Sequence, residues 1–598
     1  MTLERPADQV QRTFVEDGIV VPSRPRAFVL LTAVIVVLAA FQISLRSGDR
    51  SDLALGDALI WLPPLNDWGQ LEGGRLDAIQ SYHRDLLPTG VRALFRLLSP
   101  LADAGVLSTW LSIPLYAATL LGIGIAVRRL AGNTAALAAI LLALSSSIFV
   151  ARSEVGLPRS FAFPILALMA AALVTGRMRQ LAFLVVLGAL FYPIAGVIGG
   201  IALALVLLCL PASRRGDARS WSPGRRLLWI GAVVALSAAA ILPQQISSSA
   251  WGPLIRADQA SEFPEIGRGG RYQANNRAPF GSFLVPAERA ARHTMLSERQ
   301  AWNAPVGAGD LDHPEGRILL RAIVSLLAVT AFLLAVRNAS LARLLSLLVA
   351  AAVGYYVSVP LTPLFFLPPR FATYPTPVIL VILWCSLPWI LVSKWNAKIA
   401  LAGGPILVAF WLVLFGWVDR DSKESRSVTP AERRLVSFAA TTPIAARFAG
   451  FPTGPVELLP LHAKRSILIG YETHQAYHRR YVLLMRDRMS ALIRALFASD
   501  AADVRRLGDL YGVRYLIVDR RDFRAPPEYF RPFDSDIAAR WQEGMKAGFV
   551  LPKIAGKALV FSIGPYQVLD LNRLVHRKRS PHSAARVRRA DPRPTGAR

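Results

Sequence analysis

Two cysteines, Cys209 and Cys385, are all that 598 residues contain, and both lie in apolar runs. They can build no disulfide framework and support no redox chemistry. Lysine is nearly as scarce. Only eight of the 68 basic residues are lysine, and none precedes Lys394. The net charge of +28 is therefore an arginine charge, and it is spread along the chain rather than gathered into one module. Without stacking aromatics or a recognisable fold beside it, this charge does not read as nucleic-acid binding. No G-x-G-x-x-G follows a strand, and no Walker motif occurs anywhere. Dinucleotide binding and ATP-driven transport have no support in consequence.

What is present is hydrocarbon. Hydrophobic residues make up 53% of the chain, and mean hydropathy is +0.39. Runs such as Ala27–Leu45 recur until about residue 418, separated by short arginine-bearing loops. In a bilayer each backbone N–H and C=O must be satisfied within its own segment, so such runs are helices. Spans are predicted near 27–45, 107–127, 135–151, 161–175, 181–192, 194–210, 227–243, 317–336, 344–359, 371–391 and 399–418. The stretch 181–210 carries Tyr192-Pro193 at its middle and arginines at both ends. Two short helices return the chain to its starting side; one helix does not.

The positive-inside rule favours two. Arg128-Arg129, Arg177/Arg179, Arg214–Arg226, Arg337/Arg343 and Lys394/Lys398 then share the cytoplasmic side. The fold class is an α-helical polytopic membrane protein of about eleven transmembrane helices with a small C-terminal α/β domain. Its parts are a cytoplasmic segment 1–26, a transmembrane module 27–418 with outer loops 46–106 and 244–316, an outer domain 419–575, and a basic tail 576–598. The tail sets eight basic residues against Asp591, a composition suited to anionic headgroups. Arg24 and Arg26 precede the first span, but no A-x-A site follows it, so it reads as an anchor.

Within the first outer loop, Val91–Asp103 places Val91, Leu94, Phe95, Leu98 and Leu101 on one helical face, as an interfacial helix does. The second, around Gly267–Gly281, is rich in glycine, arginine and asparagine, which suits a solvated loop or a site for hydroxyls and phosphates. In the C-terminal part, Ser466–Gly470 and Arg514–Asp519 read as strands. Tyr477–Phe497 and Ala501–Tyr511 read as helices, and Ala558–Gly564 with Tyr566–Leu571 as a closing hairpin. Glu472, His474 and His478 raise the question of a metal, the two histidines being four apart, but no nearby third ligand is evident unless His462 folds back. No metal site is assigned.

The odd number of spans, the long acidic first loop, the short mid-bundle helices and the outer C-terminal domain resemble the GT-C superfamily of membrane glycosyltransferases. Local stretches are similar too: Asp57-Ala58-Leu59-Ile60, Leu367–Pro377 (LPPRFATYPTP) and Tyr511–Asp519 (YGVRYLIVD). Gly156–Pro164 and Phe191–Pro193 look like stretches in uncharacterised bacterial multi-pass proteins of this type. The family often has two adjacent acids in its first loop, whereas Gly56 precedes Asp57 here.

The resemblance implies sugar transfer on the periplasmic face of a bacterial inner membrane, from a polyprenyl-phosphate-linked donor to a glycan, lipid or protein acceptor. Such a transfer needs a base for the acceptor proton and positive groups on the departing phosphate. Asp57 is the first candidate for the base and Asp85 the second, with Asp49, Asp52, Asp67 and Asp77 as further loop acids. Arg152, Glu154 and Arg159 crowd nine residues between two apolar runs. In the substrate-binding reading the arginines hold the donor phosphate and Glu154 fixes them; in the plainer one they mark helix ends. Arg370, after PLTPLFFLPP, is a further phosphate candidate. A divalent cation is the one cofactor left open. Two other classes stand beside this one, a transporter of lipid-linked substrates and a non-catalytic envelope scaffold. A transporter is disfavoured by the absence of a clear repeat and of mid-span acids.

Overall fold

A computed structural model describes residues 53–272, 282–295, 326–393 and 425–574, apart from 69, 72–74, 154, 363 and 365–366, together with six residues between 34 and 41. The segment 1–26, most of span 27–45, span 399–418, the tail 576–598, Glu154, Asp49 and Asp52 lie outside the described residues.

Among the described residues, five helices are long and apolar enough to cross a membrane: Ala104–Ala131, Pro158–Thr175, Pro223–Ser249, Ala339–Ser358 and Arg370–Leu391. Four shorter apolar helices, Asn133–Ser145, Met178–Phe191, Pro193–Leu208 and Leu326–Ala335, accompany them. The 223–249 helix shows why water is the wrong solvent for this bundle. Only 11% of its most apolar window is buried, and Leu228, Val234 and Ile246 are more than 60% exposed. Apolar area left in water costs about 25 cal/mol per Å², so a helix apolar all round and uncovered is lipid-facing.

The region 181–210 forms two helices. Tyr192 takes an extended backbone (φ −147°, ψ 86°), which ends Met178–Phe191 and leaves Pro193 to open the next helix, where its missing N–H costs nothing. The two pack as a hairpin because Gly188 and Gly196 face each other; a Cβ on Gly188 would lie 2.7 Å from the Gly196 nitrogen.

Arginines from separate loops gather at one end of the bundle. Arg343 donates to the carbonyls of Leu173 (2.6 Å), Val174 (3.0 Å) and Arg214 (2.8 Å). Arg214 reaches Ala335 (3.2 Å) and Val336, and Arg226 reaches Leu207 (2.9 Å). These are the last carbonyls of helices, which lack intrahelical donors and carry the negative end of the dipole. Helices 104–131 and 223–249 run about 40 Å at 1.5 Å per residue, so their other termini lie a bilayer's thickness away.

At that far end the loops and the C-terminal part pack together. Strand β1 (Leu53–Leu55) pairs antiparallel with β2 (Ser425–Ser427). The α/β domain has a five-stranded sheet in the order β4-β3-β5-β7-β6, from β3 (Arg447–Ala449), β4 (Ser466–Ile467), β5 (Val513–Asp519), β6 (Leu559–Ile563) and β7 (Tyr566–Asp570). The first three in chain order run parallel, and β6–β7 form the expected hairpin. Buried Asp77 of the first loop receives Arg447 (2.6 Å) and Arg488 (3.0 Å). Burial alone would raise its carboxyl, but the two guanidiniums outweigh it and hold it well below the usual range. Tyr82 stacks on Tyr481 at 3.5 Å, and the Ile255 N–H donates to the Tyr477 carbonyl (2.8 Å). The described parts of 46–106, 244–316 and 419–575 therefore share one side. The expected interfacial helix is Thr89–Leu98; Val91 and Phe95 are buried, while Leu101 lies beyond its end and is exposed.

Candidate active site where the loops meet the bundle

Asp57 sits in the first turn of the helix Gly56–Leu65, immediately after β1, so pairing with β2 fixes where its carboxylate begins. Arg159 belongs to a 3₁₀ turn, Pro158–Phe161, with Pro158 at its first position. That turn is pressed onto the 104–131 helix. Gly156 has φ +57°, and a Cβ there would lie 2.4 Å from the Ser108 carbonyl oxygen, so glycine is required on both counts. Arg159 Nε meets Asp57 Oδ2 at 2.5 Å, with both side chains about three-quarters buried.

Arg370 opens the 370–391 helix and interacts electrostatically with Tyr192, Tyr374, Tyr477 and Asp57. Tyr192, the residue that breaks the mid-bundle hairpin, also feels Arg152 and packs edge-on against Tyr374 (5.2 Å). Four separate elements of the bundle and first loop thus bring Asp57, Arg152, Arg159 and Arg370 to one locality.

The roof comes from the other two outer segments. Arg271 ion-pairs with Glu472 (3.0 Å) and lies over the Tyr471 ring (3.7 Å). A Cβ added to Gly56 would be 3.5 Å from Glu472 Oε1, so this carboxylate borders the residue before Asp57. Tyr477 stacks on Tyr272 (5.1 Å) and interacts with both Arg271 and Arg370. His474 bonds Tyr529 (3.1 Å); burial, then Arg271 and Arg486, push its imidazole down to about 3, so it is neutral. His478 bonds Tyr82 (3.1 Å) instead. Among the described residues no three His, Cys, Asp or Glu side chains are grouped to hold a metal ion.

Asp85 is placed apart. It accepts from the Trp251 indole (3.0 Å), and it interacts electrostatically with Arg84 and Arg92 rather than with the arginines around Asp57. Burial raises its carboxyl against those three influences. Of the two arginines expected on the donor phosphate, Arg152 and Arg159, the second contacts Asp57. Arg271 and Tyr477 were not singled out as site residues from sequence, and Glu472 was considered only as a metal ligand beside His474 and His478. The one signal was the glycine- and arginine-rich composition at Gly267–Gly281, of which 267–272 are described.

The fold and site define a polytopic helical protein with a carboxylate and three arginines beneath an α/β cap. No family model matches the chain, and no curated protein matches it. Similar solved structures are those of the Archaeoglobus fulgidus oligosaccharyltransferase, a membrane glycosyltransferase of the GT-C superfamily. One, crystallised with Zn and sulfate, is 12% identical, with a TM-score of 0.44 over 82% of this chain and 68% of the other. Another, in complex with an inhibitory peptide and a dolichol-phosphate, is 11% identical, with a TM-score of 0.46 over 88% and 72%. At such values function is read from the residues of the site.

Proposed function

We propose that the chain is a GT-C-type membrane glycosyltransferase that moves a sugar from a polyprenyl-phosphate-linked donor to an envelope acceptor. In this reading it has about eleven spans, with the amino terminus in the cytoplasm of a bacterium and the C-terminal domain in the periplasm. The observation that supports it is the meeting of Asp57 with Arg159 and Arg370 at the bundle end covered by the outer segments.

The chemistry follows from that meeting. The bond between the anomeric carbon and the lipid phosphate breaks, and a bond from that carbon to an acceptor hydroxyl forms. Asp57 takes the hydroxyl proton, an effect worth roughly 10²–10⁴-fold. The electron pair leaves on the phosphate, where Arg370 and Arg152 meet it, because a guanidinium matches two phosphate oxygens at once. Arg159 holds the carboxylate in place, and the Arg271–Glu472 pair roofs the site.

The test is Asp57→Asn in purified full-length protein, following sugar transfer from a polyprenyl-phosphate donor. Turnover should fall roughly 10²–10⁴-fold; undiminished turnover removes Asp57 as base. In a deletion strain the unused polyprenyl-phosphate sugar should accumulate.

A further inference from the structure

A second recess lies in the C-terminal domain, on the far side of an aromatic wall from Asp57. Phe451 meets Tyr529 at 5.7 Å, Tyr529 meets Tyr471 at 5.8 Å, and Tyr471 lies under Arg271. The recess is a cavity of about 250 Å³ whose lining includes Phe451, Gly454, Asp519, Arg521, Asp522 and Tyr566.

Its place in the sheet is informative. Strands β3 and β5 are parallel neighbours. The chain leaves β3 towards β4 on one side and leaves β5 towards β6 and β7 on the other. The crevice beyond their carboxyl ends is thus a switch point, where open α/β sheets bind ligands. The loop Gly450–Gly454 follows β3, and the 3₁₀ turn Arg520–Phe523 follows β5; both line the cavity.

The charges decide what fits. Arg521 is committed to Asp519 through two bonds, Nε to Oδ1 at 3.0 Å and Nη2 to Oδ2 at 2.6 Å, and it touches the Tyr566 hydroxyl at 3.3 Å. Asp519 neutralises its charge, and with Glu432 and Asp522 also in the lining acids outnumber this one arginine, so the recess does not favour anions. Glu432 caps its own helix, accepting twice from Thr429 at 2.9 Å. The acids are not grouped as a metal site. Burial, then the Asp519 charge, push the Asp522 carboxyl up to about 7, so near neutrality it both donates and accepts. Carboxyl oxygens and the Tyr566 phenol beside the Phe451 ring suit hydroxyls on a small ring. The volume lies below the roughly 300–1,000 Å³ of drug-sized sites.

We propose that this recess binds one neutral pyranose ring, its hydroxyls meeting Asp519, Asp522 and Tyr566 and its apolar face meeting Phe451. The site belongs to the C-terminal domain and does not rest on the transfer reading.

The test is saturation-transfer NMR on the full chain in a detergent without a sugar headgroup, with methyl glucoside, methyl galactoside and methyl mannoside as probes. Wild-type protein should give signals for at least one. Asp522→Ala, and independently Thr453→Trp at the exposed rim, should each weaken binding about tenfold or more while the melting temperature holds. Asp57→Asn should bind as wild type does, which separates this site from the transfer centre. Absence of any signal from folded wild-type protein, persistence of binding in both variants, or displacement by inorganic phosphate would each overturn the proposal.

Discussion

The guanidinium of Arg159 holds one carboxylate oxygen of Asp57, Oδ2, at 2.5 Å. In the proposed transfer, an arginine so placed acts on the base rather than on the donor. Arg159→Ala should therefore lower kcat for sugar transfer and leave KM for the lipid donor nearly unchanged. The loss should be about 10- to 150-fold, the worth of a charged hydrogen bond of ~1.5–3 kcal/mol. Arg370→Ala, in contrast, should raise the donor KM as well, because Arg370 is assigned to the phosphate. Equal KM effects in the two variants would refute this division of labour.

Asp77 is the corresponding structural acid. It is 2% exposed and bonded to Arg447 and Arg488, which lie 370 and 411 residues further on. Removing one partner of a buried ion pair costs roughly 3–5 kcal/mol. Asp77→Ala should lower the melting temperature of the detergent-solubilised protein and expose the 425–574 region to protease. The depressed Asp77 carboxyl contributes stability that is complete above its unfolded value of 3.8 and is lost as pH falls further. It therefore plays no part in any pH effect near neutrality. Unchanged protease resistance in the variant would show that the domain docks without this acid.

These two acids show what was legible in the sequence. Helices and strands come from local periodicity, so the five long apolar helices among the described residues and the main elements of the α/β domain could be read directly. Strand Ser466–Ile467 is shorter than the predicted 466–470, because the chain bends at Leu468, whose N–H still reaches the Phe448 carbonyl (2.8 Å). Asp57 was legible because a short acidic stretch follows an apolar run. Asp77 looked like one more loop acid, since its partners are brought to it only by docking of the terminal domain. Tyr477 was hidden for the same reason, and Glu472 was read only as a possible metal ligand. Arg159 was read as a phosphate candidate and contacts Asp57, because charge pattern alone does not tell a phosphate partner from a carboxylate partner.

Three buried histidines predict acid sensitivity. Burial pushes His83 and His478 down to about 4 and His474 to about 3. Unfolded histidine binds its proton near 6.5, so below that value the unfolded chain holds more protons than the native one. Stability from these groups is complete above pH 6.5 and falls towards pH 4, by up to about 1.4 kcal/mol per histidine per pH unit. Asp85 and Asp522, whose carboxyls are raised by burial, act in the opposite direction and offset part of the loss. The net expectation is a lower melting temperature at pH 5 than at pH 7.5. His474→Gln should show a shallower fall. A melting temperature independent of pH over this range would contradict the neutral, buried state of all three.

The pairing of β1 with β2 makes the sharpest prediction about sidedness. Ala54 stands opposite Arg426 in an antiparallel register. Opposed Cα atoms in such a pair lie about 4.5–5.5 Å apart, within the roughly 4.4–6.8 Å that a disulfide spans. Ala54→Cys combined with Arg426→Cys should therefore crosslink in an oxidising compartment, after Cys209 and Cys385 are changed to serine. The product would be visible as a mobility shift on non-reducing gels of cleaved protein, with a protease site placed among residues 394–424. In the proposed topology the bond forms in intact cells through the periplasmic oxidation machinery, with no added oxidant. A pair that stays reduced in cells yet crosslinks once the purified protein is oxidised would preserve the strand contact and put both segments in the cytosol. That outcome would remove the supply of flipped lipid-linked sugar on which the proposed transfer depends.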